Sequence, residues 1–229
     1  MTRVPERIET ALGPVEVERA GDGPPVLVVH GTPGGSDAAM AMGRFLVEAG
    51  LSVIAPSRPG YLGTPLADRT TIDTQADLHA ALLDALGHPT AGVLAWSGGG
   101  PSAYRLAARH PDRVTALVAT AALSGAYHAD PAGIEERLMM NTGVGNWLMR
   151  FLTTHAPKAA VSGTLGAEGD LTHDEINART AAILQDEEQT AFVLTIAAAA
   201  ADRAHRGVGT DNDLEQFAAI GSLELERVT

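Results

Sequence analysis

Gly92-Val93-Leu94-Ala95-Trp96-Ser97-Gly98-Gly99-Gly100 sets an unbroken apolar run directly before a serine and three glycines. The apolar half has the length and composition of a strand buried on both faces. Pro101 to about Arg109 follows with a helical pattern that ends before His110-Pro111. Ser97 is therefore expected at a sharp strand-to-helix turn. A serine there takes a strained backbone conformation that lifts its hydroxyl above the strand end, and small residues two positions before and after relieve the crowding. Ala95 and Gly99 meet that need.

The same strand, loop and helix order recurs upstream. Pro25-Val26-Leu27-Val28-Val29 runs into the loop His30-Gly31-Thr32-Pro33-Gly34-Gly35, then into an amphipathic segment from Ala38 to Ala49. Ser52 to Ala55 reads as a second strand, Pro56 to Pro65 as a loop, and Thr71 to Leu86 as a helix closed by Gly87. Downstream, Val114 to Thr120 reads as one more buried strand, and Ile8 to Glu18 as an opening hairpin broken at Gly13-Pro14. Strands alternating with helices at this spacing force parallel pairing through right-handed crossovers. The fold class is α/β, a doubly wound, mostly parallel sheet.

From about Leu123 the pattern is almost wholly helical. Helices are expected at Pro131 to Met140, Asn146 to His155, Thr172 to about Gln185 behind a Thr172–Glu175 capping box, Gln189 to Ala204 and Asp213 to Ile220. That is too much chain for one crossover, so residues 125–213 are assigned to an inserted helical cap and residues 1–124 and 214–229 to the core. Trp147, Leu148, Phe151 and Leu152 read as the packed side of an amphipathic helix in that cap, with pocket lining as the alternative.

The chain has 229 residues, 45% apolar, and a net charge of −12. That charge repels polyanions, so no nucleic-acid partner is expected. Cysteine is absent, which removes disulfides, thiolate metal sites and a cysteine nucleophile together. Asp170, His173, Asp174 and Glu175 are the acidic first turn of a helix rather than a metal set, and no cofactor is expected. The N-terminal residues lack a secretory apolar segment and nothing approaches a membrane span, so a cytoplasmic protein with no membrane partner is expected.

These features point to acyl chemistry on a small molecule. Ser97 is the candidate nucleophile, and the N–H groups of Thr32 and Gly98 are the candidate oxyanion donors, the latter helped by the N-terminus of the following helix. The 30–35 loop, Arg58-Pro59-Gly60-Tyr61, the turn at Ser97 and Arg109-His110-Pro111-Asp112-Arg113-Val114 together resemble the α/β-hydrolase family, and most closely its small esterase, lactonase and proline-iminopeptidase-like serine hydrolases. Where that family often has Asp before the arginine, this sequence has Ser57, to which no catalytic role is attached.

The resemblance implies a Ser, acid, His order of catalytic residues, with acid and base on the strands after the cap. None of the eight histidines is nominated as the base. His30 belongs to the loop, His79 and His88 to a crossover helix and its end, and His110 to the rim, while His128, His155, His173 and His205 fall in the cap. Asp130 is a weak internal candidate for the acid. The sequence is therefore expected to stop before its acid and base, and to leave Val114–Thr120 as an apolar edge. The missing segment is expected to cover it as a second chain from a cleaved precursor or as part of another subunit, homo-oligomers included, or else to be simply absent. The expected function is hydrolysis of a small ester, lactone, thioester or amide, by a chain inactive alone. A ligand-binding homologue without catalysis and an acyltransferase are the alternatives. Serine in place of aspartate argues against haloalkane dehalogenase and epoxide hydrolase chemistry.

Overall fold

The computed structural model describes residues 4–128, 151–168 and 170–228. The chain divides into two compact units, Met1–Ala129 with His205–Thr229, and Asp130–Ala204.

The first unit is built on strands β1 (Glu6–Thr10), β2 (Gly13–Ala20), β3 (Pro25–Val29), β4 (Ser52–Pro56), β5 (Ala91–Trp96) and β6 (Val114–Thr120), with helices α1 (Ser36–Glu48), α2 (Ile72–Ala85) and α3 (Gly100–Arg109) between them. Their spatial order is β1-β2-β4-β3-β5-β6. Strands β4, β3, β5 and β6 are parallel, and the opening hairpin adds two antiparallel strands at one side. The hairpin turns at Ala11-Leu12, not at Gly13-Pro14: Thr10 faces Gly13 across a two-residue loop, and Pro14 already lies in β2. Proline is harmless there because β2 pairs with β4 only from Val17 onward.

Alternation along each strand makes the two faces. Leu27, Val29, Ile54, Val93 and Ala95 pack with Leu78, Leu82, Leu83 and Leu106 of α2 and α3. Val28, Val53, Ala55 and Leu94 pack on the other face with Ala39 and Met40 of α1. Unbroken apolar runs are what a sheet covered on both sides requires. The α2–α3 face is also laced by ion pairs from Arg105 and Arg109 to Asp73.

Strand β6 departs from the expected burial. Only Val114 and Leu117 are half-buried, and Val118 is 57% exposed. It pairs with β5 alone among the described residues, so its outer edge is unpaired, while Val114 and Leu117 pack against the core on one face.

In the second unit, helices α4 (Pro157–Glu168), α5 (His173–Ile183) and α6 (Glu187–Ala201) pack together. The capping box forms as expected, with Thr172 Oγ1 accepting from Glu175 N–H and the Glu175 carboxylate accepting from Thr172 N–H. The expected helix at residues 131–140 and the first part of that at 146–155 lie outside the described residues. Asp213–Ile220 is not a separate helix: α7 runs from Arg203 to Ala218. Gly207 and Gly209 lower helix propensity and read locally as a break. Gly209 is required by contact instead, because a Cβ there would stand 2.4 Å from the Tyr61 ring. As a result 205–213, assigned above to the cap, packs within the first unit.

Candidate active site

From β3 the chain runs through α1 outward to β4, and from β5 through α3 in the opposite direction to β6. The loops leaving the carboxyl ends of β3 and β5 therefore diverge and open a crevice, the place where doubly wound sheets bind ligands. Residues 30–35 and 97–100 are these two loops.

Ser97 sits at φ 49°, in the left-handed region that a side chain occupies only when its surroundings force it. What forces it is close packing. A Cβ on Gly99 would stand 2.5 Å from the Val29 carbonyl oxygen, so the turn lies directly on the end of β3. Ala95 is fully buried beneath it, and Leu123 N–H holds the Ser97 carbonyl oxygen at 2.9 Å. The loop after β3 lies alongside: a Cβ on Gly31 would stand 3.1 Å from Ser97 Cβ. A Cβ on Gly98 would meet Thr32 Oγ1 at 2.2 Å and Phe217 Cζ at 3.0 Å, so only glycine leaves room for these two side chains. Among the described residues Ser97 Oγ has no hydrogen-bonding side chain as partner.

Behind this loop lies a buried polar cluster. Arg58 and Asp213 are each 1% exposed and paired at 2.6 Å. Arg58 Nη1 donates to Asp213 Oδ1 (2.8 Å) and to Gln75 Oε1 (3.2 Å), and Nη2 donates to Asp213 Oδ2. The remaining guanidinium donors hold the loop itself: Nε donates to the His30 carbonyl (3.1 Å), and Nη2 to the Gly31 carbonyl (3.0 Å) and Thr32 Oγ1 (2.9 Å). Asp213 Oδ2 also accepts from Thr32 Oγ1 (2.5 Å) and Tyr61 OH (2.6 Å). Burial, the largest single influence, would push the Arg58 guanidinium toward losing its proton, but the Asp213 charge, the Tyr61 oxygen and the hydrogen bonds to both together outweigh it and raise the guanidinium above its ordinary value. Burial, then the Asp213 charge, holds the Tyr61 phenol well above its usual range.

His30 is fully buried, and Arg58 N–H donates to its Nε2 at 2.9 Å, so the ring proton is on Nδ1 and goes to the Gly31 carbonyl at 2.7 Å. Burial, with the Arg58 charge second, holds this imidazole far below its ordinary value and keeps it neutral. The Gly31 carbonyl is thus gripped from two sides. In a planar trans peptide the following N–H points the opposite way. Thr32 N–H accordingly points away from the Arg58 cluster, and it has no acceptor among the described residues.

The sequence model of the alpha/beta hydrolase fold family matches residues 24–165. This chain belongs to the α/β-hydrolase family. An alpha/beta hydrolase fold protein from Nakamurella multipartita superposes with a TM-score of 0.94 at 51% identity, over 99% of this chain and 78% of that one. The uncharacterized hydrolase YcgS of Bacillus subtilis is 32% identical over 65% of this chain and 54% of its own length. A pimeloyl-[acyl-carrier protein] methyl ester esterase of Neisseria meningitidis is 42% identical over 31% of this chain and 27% of its own. The chain thus spans about half the length of the first of these curated relatives and about a quarter of the second.

Within this α/β-hydrolase, Ser97, Thr32 and Gly98 stand together, and Asp130 lies outside the described residues. Ser57 is fully buried in a scaffold role: its Oγ accepts from Ser36 N–H at the start of α1 and donates to Glu16 Oε1, both at 2.9 Å. His79 is buried against Ser102 and pushed down to about 3, chiefly by burial. His110 pairs with Asp77, and His155 packs on Phe151 within the second unit; Trp147 and Leu148 are outside the described residues. Among the described residues no three His, Asp or Glu side chains cluster as a metal site.

Asp213 and Phe217 escaped the sequence reading. The one available signal was Arg58, since a buried guanidinium demands a buried acid. Which acid, 155 residues away, no local pattern tells.

Proposed function

We propose that this chain carries the nucleophile and oxyanion-binding parts of a serine hydrolase for small esters, lactones, thioesters or amides. The observation that carries the reading is Ser97 in a forced left-handed conformation at the switch point, beside a Thr32 N–H with no acceptor among the described residues. In this reading Ser97 Oγ attacks the substrate carbonyl carbon. The developing oxyanion takes hydrogen bonds from Thr32 and Gly98 N–H, donors whose loss costs on the order of 10²–10³ in rate each. Phe217, buried against the turn, flanks the acyl group. The methyl ester esterase among the relatives favours an ester over an amide.

Attack requires a base to take the Ser97 proton, and none of the eight histidines is hydrogen-bonded to Ser97 Oγ. We therefore assign base and acid to polypeptide outside these 229 residues, present as a longer gene product, a second chain or another subunit. The same polypeptide adds the next strand at the outer edge of β6, covering Val118. A cytoplasmic setting fits this reading; among the described residues no helix is long and apolar enough to cross a membrane.

That no histidine is hydrogen-bonded to Ser97 Oγ favours one second reading, a protein that captures the ligand without turning it over. Hydrolysis of an aryl ester series, with Ser97→Ala as control and with added alcohols as acceptors, separates the possibilities. Carboxylic acid released only with Ser97 intact supports the hydrolase. New esters formed from the alcohols identify an acyltransferase, and binding without product identifies the ligand-capturing protein.

A further inference from the structure

Arg206, Gly209, Asp213 and Phe217 recur at three- and four-residue intervals, so they share one face of α7. That face touches each loop around Ser97. Arg206 Nη1 donates to the Gly34 carbonyl at 2.7 Å, Gly209 N–H to the Gly60 carbonyl at 2.9 Å, and Phe217 lies against Gly98. Asp213 reaches furthest into the loop after β3. It accepts the Thr32 hydroxyl proton and both Nη groups of Arg58, and Arg58 in turn holds the His30 and Gly31 carbonyls.

We propose that Asp213 is a positioning residue for the Thr32 N–H. Its carboxylate fixes the Thr32 side chain directly and the Gly31–Thr32 peptide through Arg58, so the amide stays aimed into the crevice. This rests on reading Thr32 as an oxyanion donor. The physical basis is that an unpaired N–H beside a glycine is held only by what grips its own peptide carbonyl and side chain. At Thr32 three of the four hydrogen bonds doing so involve Asp213 or its partner Arg58; the fourth comes from His30. A donor already oriented before substrate arrives spends no reorganisation energy when charge develops. Thr32 itself is β-branched, with few χ1 states, so pinning its hydroxyl also pins its backbone.

The test compares the 229-residue chain as wild type, Asp213→Asn and Asp37→Asn. Asp37 pairs with Arg206 at 2.7 Å on the same face of α7, so its loss loosens the helix without touching Thr32. In Asp213→Asn the ¹⁵N order parameter of the Thr32 amide falls from about 0.85, the value of rigid backbone, to below about 0.6. In Asp37→Asn it keeps its wild-type value. In whichever longer form turns over an aryl ester, Asp213→Asn lowers kcat about 100-fold with KM within about two-fold, and Asp37→Asn changes neither.

A Thr32 amide as rigid in Asp213→Asn as in the wild type overturns the proposal, and so does equal loosening in Asp37→Asn. Should Asp213→Asn not fold, Thr32→Val removes the hydroxyl at nearly constant volume and is read at the same amide. Ser97→Ala, run alongside with a fluorophosphonate, tests the serine reading by itself: labelling that survives there sinks that reading and leaves the amide measurement standing.

Discussion

Replacing Arg58 by Met removes a guanidinium that is 1% exposed and makes six hydrogen bonds, two of them to Asp213. Methionine fills much of the space, so little of the cost is cavity. The cost lies in Asp213, left as a buried carboxylate that keeps, among the described residues, the Thr32 and Tyr61 hydroxyls as donors. Breaking a buried pair from one side typically costs about 3–5 kcal/mol, against a total stability of about 5–15 kcal/mol. With a urea m-value of about 2 kcal/mol/M, the unfolding midpoint should fall by about 2 M. The assay is urea unfolding followed by the fluorescence of Trp96 and Trp147. The double variant Arg58→Met/Asp213→Leu removes both charges and should recover part of the loss, as coupled neighbours do. A loss under about 1 kcal/mol in the single variant, the figure for a water-exposed pair, refutes the reasoning, as does a double variant in which the two losses simply add.

Gly98→Ala sets a methyl group 2.2 Å from Thr32 Oγ1, so that side chain must leave Asp213; hydrolysis by the active form should fall about 100-fold, with the chain still folded by circular dichroism. His79 gives the chain a built-in acid sensitivity. Its folded value, about 3, lies below the ordinary 6.5, so the unfolded state binds the proton first and stability falls as pH drops from about 6.5 toward 3. At pH 5 this one residue costs about 2 kcal/mol relative to pH 7, and His79→Gln should lose correspondingly less between those pH values in urea melts. Glu18 has the opposite sign: burial, then the charges of Asp37 and Glu16, raise it above 4.5. The folded state there holds the proton more tightly, so stability falls as pH rises through 4.5, and Glu18→Gln should unfold at higher urea than wild type at pH 7 but not at pH 4.

What could be read in the sequence was local. Strand-loop-helix units repeat within about thirty residues, and the apolar runs at Pro25–Val29 and Ala91–Trp96 mark strands covered on both faces, so the sheet and the sharp strand-to-helix turn at Ser97 followed from pattern. The adjacency of Thr32 to Gly98 followed from topology, since parallel neighbours end their strands side by side. What escaped depended on partners far along the chain. The glycines of α7 look like a helix break until Tyr61 is packed against Gly209, and Asp213 looks like any surface acid until Arg58 is found buried beside it. Strand β6 is apolar like its neighbours and reads locally as buried; its exposed edge, expected above on other grounds, follows from what pairs with it rather than from its own residues.

Fluorophosphonate titration, read by mass spectrometry of the Ser97 peptide, asks whether Ser97 is an activated nucleophile. It is run on this chain and on a product extended to the length of the Nakamurella relative. One equivalent of label is expected on Ser97 in the longer product, little in the shorter one, and none in either after Ser97→Ala. Label on another residue, or a longer product that stays unlabelled while folded, would contradict that role for Ser97.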